Sequence, residues 1–93
     1  MEKKSAQKYF VMIKVGPTKA GGIYEAIMKW NKQPIQGVTL EEAYQVFGKW
    51  DFAFLFSADT NDNALHFVGD RVRQVEGVIA TRTLPLSPMK DYR

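Results

Sequence analysis

The chain contains no cysteine and a single histidine, His66. Disulfide staples and thiolate metal centres are therefore excluded, and one imidazole leaves too few nitrogen ligands for a histidine-built zinc site. No metal and no resident cofactor is expected. No apolar run approaches the ~18–20 residues that a membrane-crossing helix needs, and the charged opening Met1-Glu-Lys-Lys4 lacks the apolar core of a secretory signal. A cytoplasmic protein with no membrane partner is expected. A strong charge of one sign is also missing where it would matter. The net charge is +3, yet between Tyr9 and Leu86 eight Lys/Arg (14, 19, 29, 32, 49, 71, 73, 82) balance eight Asp/Glu (25, 41, 42, 51, 59, 62, 70, 76). The excess lies at the ends, where Lys3, Lys4 and Lys8 face Glu2, and Lys90 and Arg93 face Asp91. A nucleic-acid surface needs several phosphate contacts from one rigid basic face. The lysines read instead as a solvated tail, and no direct nucleic-acid partner is expected.

What is present is a hydrophobic content of 45% in 93 residues, enough for one folded domain and too much for a disordered chain. A domain this small buries only about 60–65% of its unfolded surface. With covalent and metal staples excluded, another subunit is the expected source of further burial.

Tyr9-Phe-Val-Met-Ile-Lys-Val15 is apolar at almost every position and ends at Gly16-Pro17. Such a run reads as a strand covered on both faces. Thr18 can then cap a helix in which Ala20, Ile23, Ile27 and Trp30 form one stripe. Gly21-Gly22 weakens its first turn by up to about 1 kcal/mol per glycine relative to alanine. The helix should stop by Asn31, because Pro34 follows. Residues 31–37 read as a loop. Val38, Leu40, Tyr44 and Val46 share one parity, as in a second strand over 38–47, although Leu40-Glu-Glu-Ala43 alone would pass for helix. Phe52, Phe54 and Phe56 alternate with Ala53, Leu55 and Ser57 in a third strand. Asp59 or Thr60 caps a second helix with Leu65, Val68, Val72 and Val75 as its buried stripe, and Gly77 stands where a left-handed terminator belongs. Val78-Ile-Ala-Thr-Arg-Thr-Leu84 is the fourth strand, and Pro85 and Pro88 begin an irregular tail.

The order is βαββαβ, two βαβ halves joined by a hairpin at residues 48–51. Right-handed crossovers fold that order into a ferredoxin-like α+β domain, a four-stranded antiparallel sheet with both helices on one face. The expected organisation is a basic tail over 1–8, one domain over 9–86 and a C-terminal tail over 87–93. The face away from the helices keeps apolar residues of the first and third strands. An exposed apolar sheet is an association surface, so a homodimer packed face to face, a dimeric α+β barrel, is expected, the alternative being that the tail or the loop over residues 31–37 covers this face.

In this frame three short segments resemble the effector domain of the leucine-responsive regulatory protein/AsnC transcription regulators, which also occurs as stand-alone proteins. They are Tyr9-Phe-Val-Met-Ile-Lys-Val15, Val46-Phe-Gly-Lys-Trp-Asp51 at the family's glycine-x-aromatic-aspartate turn, and Val75-Glu-Gly-Val-Ile-Ala-Thr-Arg-Thr-Leu84 at its glycine-valine and threonine-x-threonine strand. The resemblance implies dimers that assemble further, and small molecules, typically amino acids, bound where dimers meet. By position it makes Gly48, Trp50, Asp51, Thr81 and Thr83 the ligand-binding candidates. Glycine backbone can approach a carboxylate, an acidic side chain can receive an amino group, and threonine hydroxyls can donate or accept. Each residue also has a structural reading. Gly48 can serve a positive φ, Asp51 can bond turn amides, Trp50 can anchor a subunit interface, and the threonines are good strand formers. The family's regulators carry a helix-turn-helix domain, whereas only eight residues precede the first strand here, so direct operator contact is not expected. Partnership with full-length regulators of the family, through mixed oligomers, is. The loop before the second strand is longer than usual in the family, and Trp50 replaces the commoner tyrosine.

The alternative is an enzyme, a monooxygenase or isomerase on the same dimeric barrel, acting on a small organic substrate. His66 and Asp70 share a helix face and could orient an imidazole as a base, or stand as a solvated i,i+4 pair. No nucleophile–base pair, metal cluster or phosphate-binding glycine loop accompanies them.

Overall fold

The computed structural model describes residues 7–17 and 19–89. The elements follow the expected order: β1 (Gln7–Val15), α1 (Gly21–Lys32), β2 (Val38–Gln45), β3 (Phe52–Ala58), α2 (Asn61–His66), a π-helical segment (Phe67–Val72) continuing α2, and β4 (Val78–Leu86). The strands form one sheet in the order β2-β3-β1-β4, every neighbouring pair antiparallel. Each crossover skips one strand, which is the ferredoxin-like arrangement.

The alternation of β3 decides where the core sits. Phe52, Phe54 and Phe56 pair with Ile13, Val11 and Tyr9 of β1, so these six side chains share one face. Against them pack Ile23 and Trp30 of α1, Ala64 of α2, and Phe67, Val68 and Val72 of the π-helical segment, in one buried cluster. The aromatic rings interlock within it. Phe67 lies 4.7 Å from Phe56 and 5.2 Å from Trp30, edge to face, and Tyr9 stacks on Phe56 at 5.2 Å. Tyr9 keeps its hydroxyl satisfied by donating to Asn61 Oδ1 at 3.0 Å. The expected α1 stripe holds, since Ala20 and Ile27 pack on this cluster beside Ile23 and Trp30. Ala20, with no side-chain bond, occupies the position before the helix, and Thr18 lies outside the described residues. The helix runs to Lys32, one residue past Asn31. Gly22 has a steric purpose in this first turn, because a Cβ there would come within 2.8 Å of the Glu76 carbonyl oxygen.

Three expectations are corrected. The first concerns β2, where Leu40 pairs with Phe56 and Glu42 with Leu55, leaving Glu41 as the extra residue of a bulge. An extra residue reverses the alternation. Val38 and Leu40 face the helices, but Tyr44 crosses to the open face, opposite Ala53 and with its ring 6.5 Å from Phe10. Val46 lies beyond the strand, which ends at Gln45.

The second correction concerns the second helix. Thr60 is its cap, with Oγ1 accepting from the Asn63 amide at 3.1 Å. Leu65, expected in the buried stripe, is 63% exposed, and Ala64 and Phe67 take the inward positions. Ala64, Phe67, Val68 and Val72 stand at i, i+3, i+4 and i+8, the spacing of one buried helix stripe. The larger Phe67 ring then fills the space between the sheet and Trp30. Gly77 has the expected positive φ, +97°, but stands five residues past the end of the π-helical segment.

The third correction is at the end of β4. The strand continues through Pro85, opposite Tyr9, to Leu86. β4 is an edge strand, where proline's missing N–H is tolerated. Beside this end of β4, β1 begins at Gln7, two residues before Tyr9.

The face away from the helices carries Phe10 and Met12 of β1 and Ala53 and Leu55 of β3, as expected. Tyr44, Leu84 and Leu86 extend this apolar surface onto both edge strands. Tyr44 is 46% and Leu84 36% exposed.

Candidate functional site: the hairpin at the end of β1

Residues 46–51 connect β2 to β3, and the turn is tied at its base and to the neighbouring strand. The Val46 amide donates to the Asp51 carbonyl at 3.0 Å, and the Asp51 amide donates to the Ile13 carbonyl at 2.9 Å. Asp51 Oδ2 accepts from the Val15 amide at 2.9 Å. This last bond falls where β3 has run out of backbone to offer. The carboxylate takes the place of the next ladder carbonyl and holds the end of β1 beside the hairpin. Lys14 Nζ adds a bond to the Lys49 carbonyl at 3.2 Å. Asp51 thus bonds an amide thirty-six residues away, on β1, rather than an amide of its own turn.

The other turn residues are placed by this clamp. Gly48 has φ +110°, and a Cβ there would meet nothing within 4 Å, so the requirement for glycine is conformational and not steric. Trp50 is half-buried, and Phe47 is 91% exposed.

Thr81 and Thr83 lie on β4 opposite Ile13 and Val11, on the helix-side face, both half-buried. The end of β1 is therefore flanked by the hairpin on its β3 side and by Thr81 on its β4 side. The structure brings Gly48, Trp50 and Asp51 into one turn and the two threonines onto one face of one strand. Among the described residues no side-chain hydrogen bond joins the two groups.

Several concavities lie elsewhere. One, of about 180 Å³, sits between the end of α1 and the start of β2, lined by Trp30, Pro34, Ile35, Val38, Leu40 and Phe67. Another, polar and about 430 Å³, is bordered by Gly37, Asp59, Asn63, His66, Asp70 and Arg71. His66 and Asp70 meet there with Nδ1 and Oδ2 2.7 Å apart, as their spacing predicts, but their side chains are 74% and 67% exposed. Neither concavity reaches the hairpin or the β4 threonines. Among the described residues no three His, Asp or Glu side chains converge in a way that could hold a metal ion, and no helix is long and apolar enough to cross a membrane.

No family model and no curated protein matches the chain. Solved structures do. FFRP-DM1 superposes with a TM-score of 0.70 at 20% identity, covering 87% of this chain and 99% of that one. AsnC of E. coli gives 0.66 at 20% identity over 94% of this chain. The regulator NMB0573 of Neisseria meningitidis, crystallised in complex with L-Met, gives 0.69 at 15% identity, also over 94%. The chain shares its fold with the AsnC-type regulators. It spans about half the length of two of them, 54% of AsnC and 52% of NMB0573, and nearly all of FFRP-DM1. At these identities the likeness establishes the fold. It does not carry ligand contacts over residue by residue.

Proposed function

We propose that this chain is a cytoplasmic effector-binding and oligomerisation domain of AsnC type: a homodimer through its open sheet face, assembling further, with a small metabolite of the amino-acid class bound where subunits meet. The observation that carries this reading is the shared fold with a regulator crystallised in complex with L-Met. The apolar open face supports the dimer, because Phe10, Met12, Leu55, Leu84 and Tyr44 lie together there without a cover among the described residues. The layout of the hairpin supports a shared ligand site. Gly48, Trp50, Asp51, Thr81 and Thr83 flank one strand end without enclosing a cavity, so a second subunit has to complete any pocket they line. In that role Trp50 supplies apolar surface, Gly48 allows a close approach of backbone, and the threonine hydroxyls and the remaining lone pairs of Asp51 hold polar groups of the ligand. A ligand that prefers one assembly over another shifts the assembly equilibrium. Mixed oligomers with full-length regulators would pass that shift on.

Light scattering coupled to size exclusion tests this, with and without pooled amino acids, on wild type and on Trp50→Ala and Thr83→Val. Asp51→Ala is a poor probe, because Asp51 also carries the bond to β1. The reading predicts that one pool changes the mass or melting temperature of the wild type and that the variants respond less. A mass and stability indifferent to every pool refutes effector binding.

A further inference from the structure

The long loop before β2, the π-helical segment and the pair His66–Asp70 converge at the end of the sheet away from the hairpin, where β2 starts and β3 stops. The loop is held down there. Its Gly37 carbonyl accepts from the Asp59 amide at 2.9 Å, and the Val38 amide donates to the Ile35 carbonyl at 3.1 Å. A Cβ at Gly37 would collide with the Asn63 side chain, which lies against the backbone. The apolar recess and the polar basin described above adjoin at this loop, and Ile35 borders both. Their linings are continuous along the chain: Val38 and Phe67 wall the recess, and their neighbours Gly37 and His66 wall the basin. π-Helical turns are rare and frequently mark functional sites. This one presents Phe67 to the recess and Asp70 and Arg71 to the basin.

We propose that recess and basin form one ligand site within a single subunit, for a zwitterionic amino acid whose apolar side chain is the size of a benzene ring. The recess selects the side chain. Its volume is about 180 Å³, with Trp30, Phe67, Val38 and Leu40 among its walls, and an apolar cavity of ~150 Å³ suffices to take up benzene. A ring entering it meets Trp30 and Phe67, which stand edge to face at 5.2 Å. The basin selects the polar end. It holds charges of both signs, Asp59, Asp70 and Arg71, and Asp70 is engaged by His66 at 2.7 Å. Among the described residues neither Asp59 nor Arg71 has an opposite charge within ion-pair distance. An ammonium on Asp59 and a carboxylate across the guanidinium fork of Arg71 satisfy both. A simple amine would leave Arg71 without an anion, and a simple acid would leave Asp59 without a cation. The site needs no second copy of the chain and is independent of the one proposed at the hairpin.

Titration with L-phenylalanine tests the proposal in a Trp50→Phe background, where Trp30 is the one tryptophan left and its emission reads the recess directly. Saturable change of that emission is expected, and R71Q and D59N are each expected to raise the Kd on the order of tenfold. L-Alanine, 2-phenylethylamine and 3-phenylpropionate lack the ring, the carboxylate and the ammonium in turn. Each is expected to bind at least about tenfold more weakly than L-phenylalanine, a comparison that needs no further substitution. If Trp50→Phe does not fold, the Trp30 indole N–H resonance of the wild type reads the same contact. Heat of binding in calorimetry without a response from Trp30 places the ligand elsewhere and overturns the site. Trp30 emission unchanged up to the solubility limit of L-phenylalanine overturns it too, as does an amine or acid that binds as tightly as the amino acid. The hairpin reading is decided separately, by assembly mass in Trp50→Ala and Thr83→Val.

Discussion

Replacing Asp51 by alanine removes the carboxylate that accepts the Val15 amide at 2.9 Å. Two effects add: the loss of a charge-assisted bond and the stranding of a half-buried donor at the end of β1. Hydrogen bonds to charged groups contribute ~1.5–3 kcal/mol, and a half-buried site belongs at the lower end, about 1.5–2 kcal/mol. For a domain of this size each kcal/mol moves the melting temperature by ~4–8 °C, so a fall of roughly 6–16 °C is expected. Asp51→Asn keeps an oxygen in place and should lose about half as much, because the bond becomes a neutral one. Thermal unfolding followed by circular dichroism, without added ligand and at fixed protein concentration, measures both, the second condition holding constant any contribution of self-association to apparent stability. If Asp51 served only to contact an effector, the ligand-free variant would melt with the wild type. A shift under ~2 °C for Asp51→Ala would therefore refute the ladder role assigned to its carboxylate.

The corrected register of the second helix makes a paired prediction for urea unfolding: Phe67→Ala should cost ~3–5 kcal/mol, whereas Leu65→Ala should stay within about 0.5 kcal/mol of wild type. Equal losses would mean that Leu65 faces inward after all. Two glycines with open space around them should respond with opposite signs. Gly48→Ala, at φ +110°, should destabilise by about 1–2 kcal/mol, and Gly69→Ala, inside the π-helical segment without a positive φ, should stabilise by about 0.4–1 kcal/mol. Denaturant midpoints at constant m-value read both. Phe10→Asp, a charge in the middle of the open face, should convert the proposed dimer to a folded monomer, which light scattering with circular dichroism distinguishes from unfolding.

Much of the fold was legible along the chain, because the signals involved are local. The phenylalanine alternation of 52–56 reports a strand with one aromatic face wherever that strand lies in the sheet. The spacing of Ala20, Ile23, Ile27 and Trp30 reports a helix with one buried stripe. The absence of cysteine rules out disulfide and thiolate staples whatever the fold. The resemblance at the hairpin and at the last strand pointed to the AsnC-type fold that the structure comparisons then found.

Other features were decided only when strands and helices met. The bulge at Glu41 depends on how β2 pairs with β3, and nothing in Leu40-Glu-Glu-Ala43 marks the residue at which the alternation turns over. That one residue moves Tyr44 from the core to the open face. The choice of Phe67 over Leu65 follows from competition for the space beside Trp30 and Phe56. Both residues are apolar, so the sequence alone could not rank them. The partner of Asp51 lies on a strand thirty-six residues away. A turn motif shows that an aspartate is wanted at that point, but only the packed strand end of β1 shows which amide wants it. Periodicity is written in neighbouring residues, whereas register, bulges and long-range hydrogen bonds come from the energy of particular surfaces meeting.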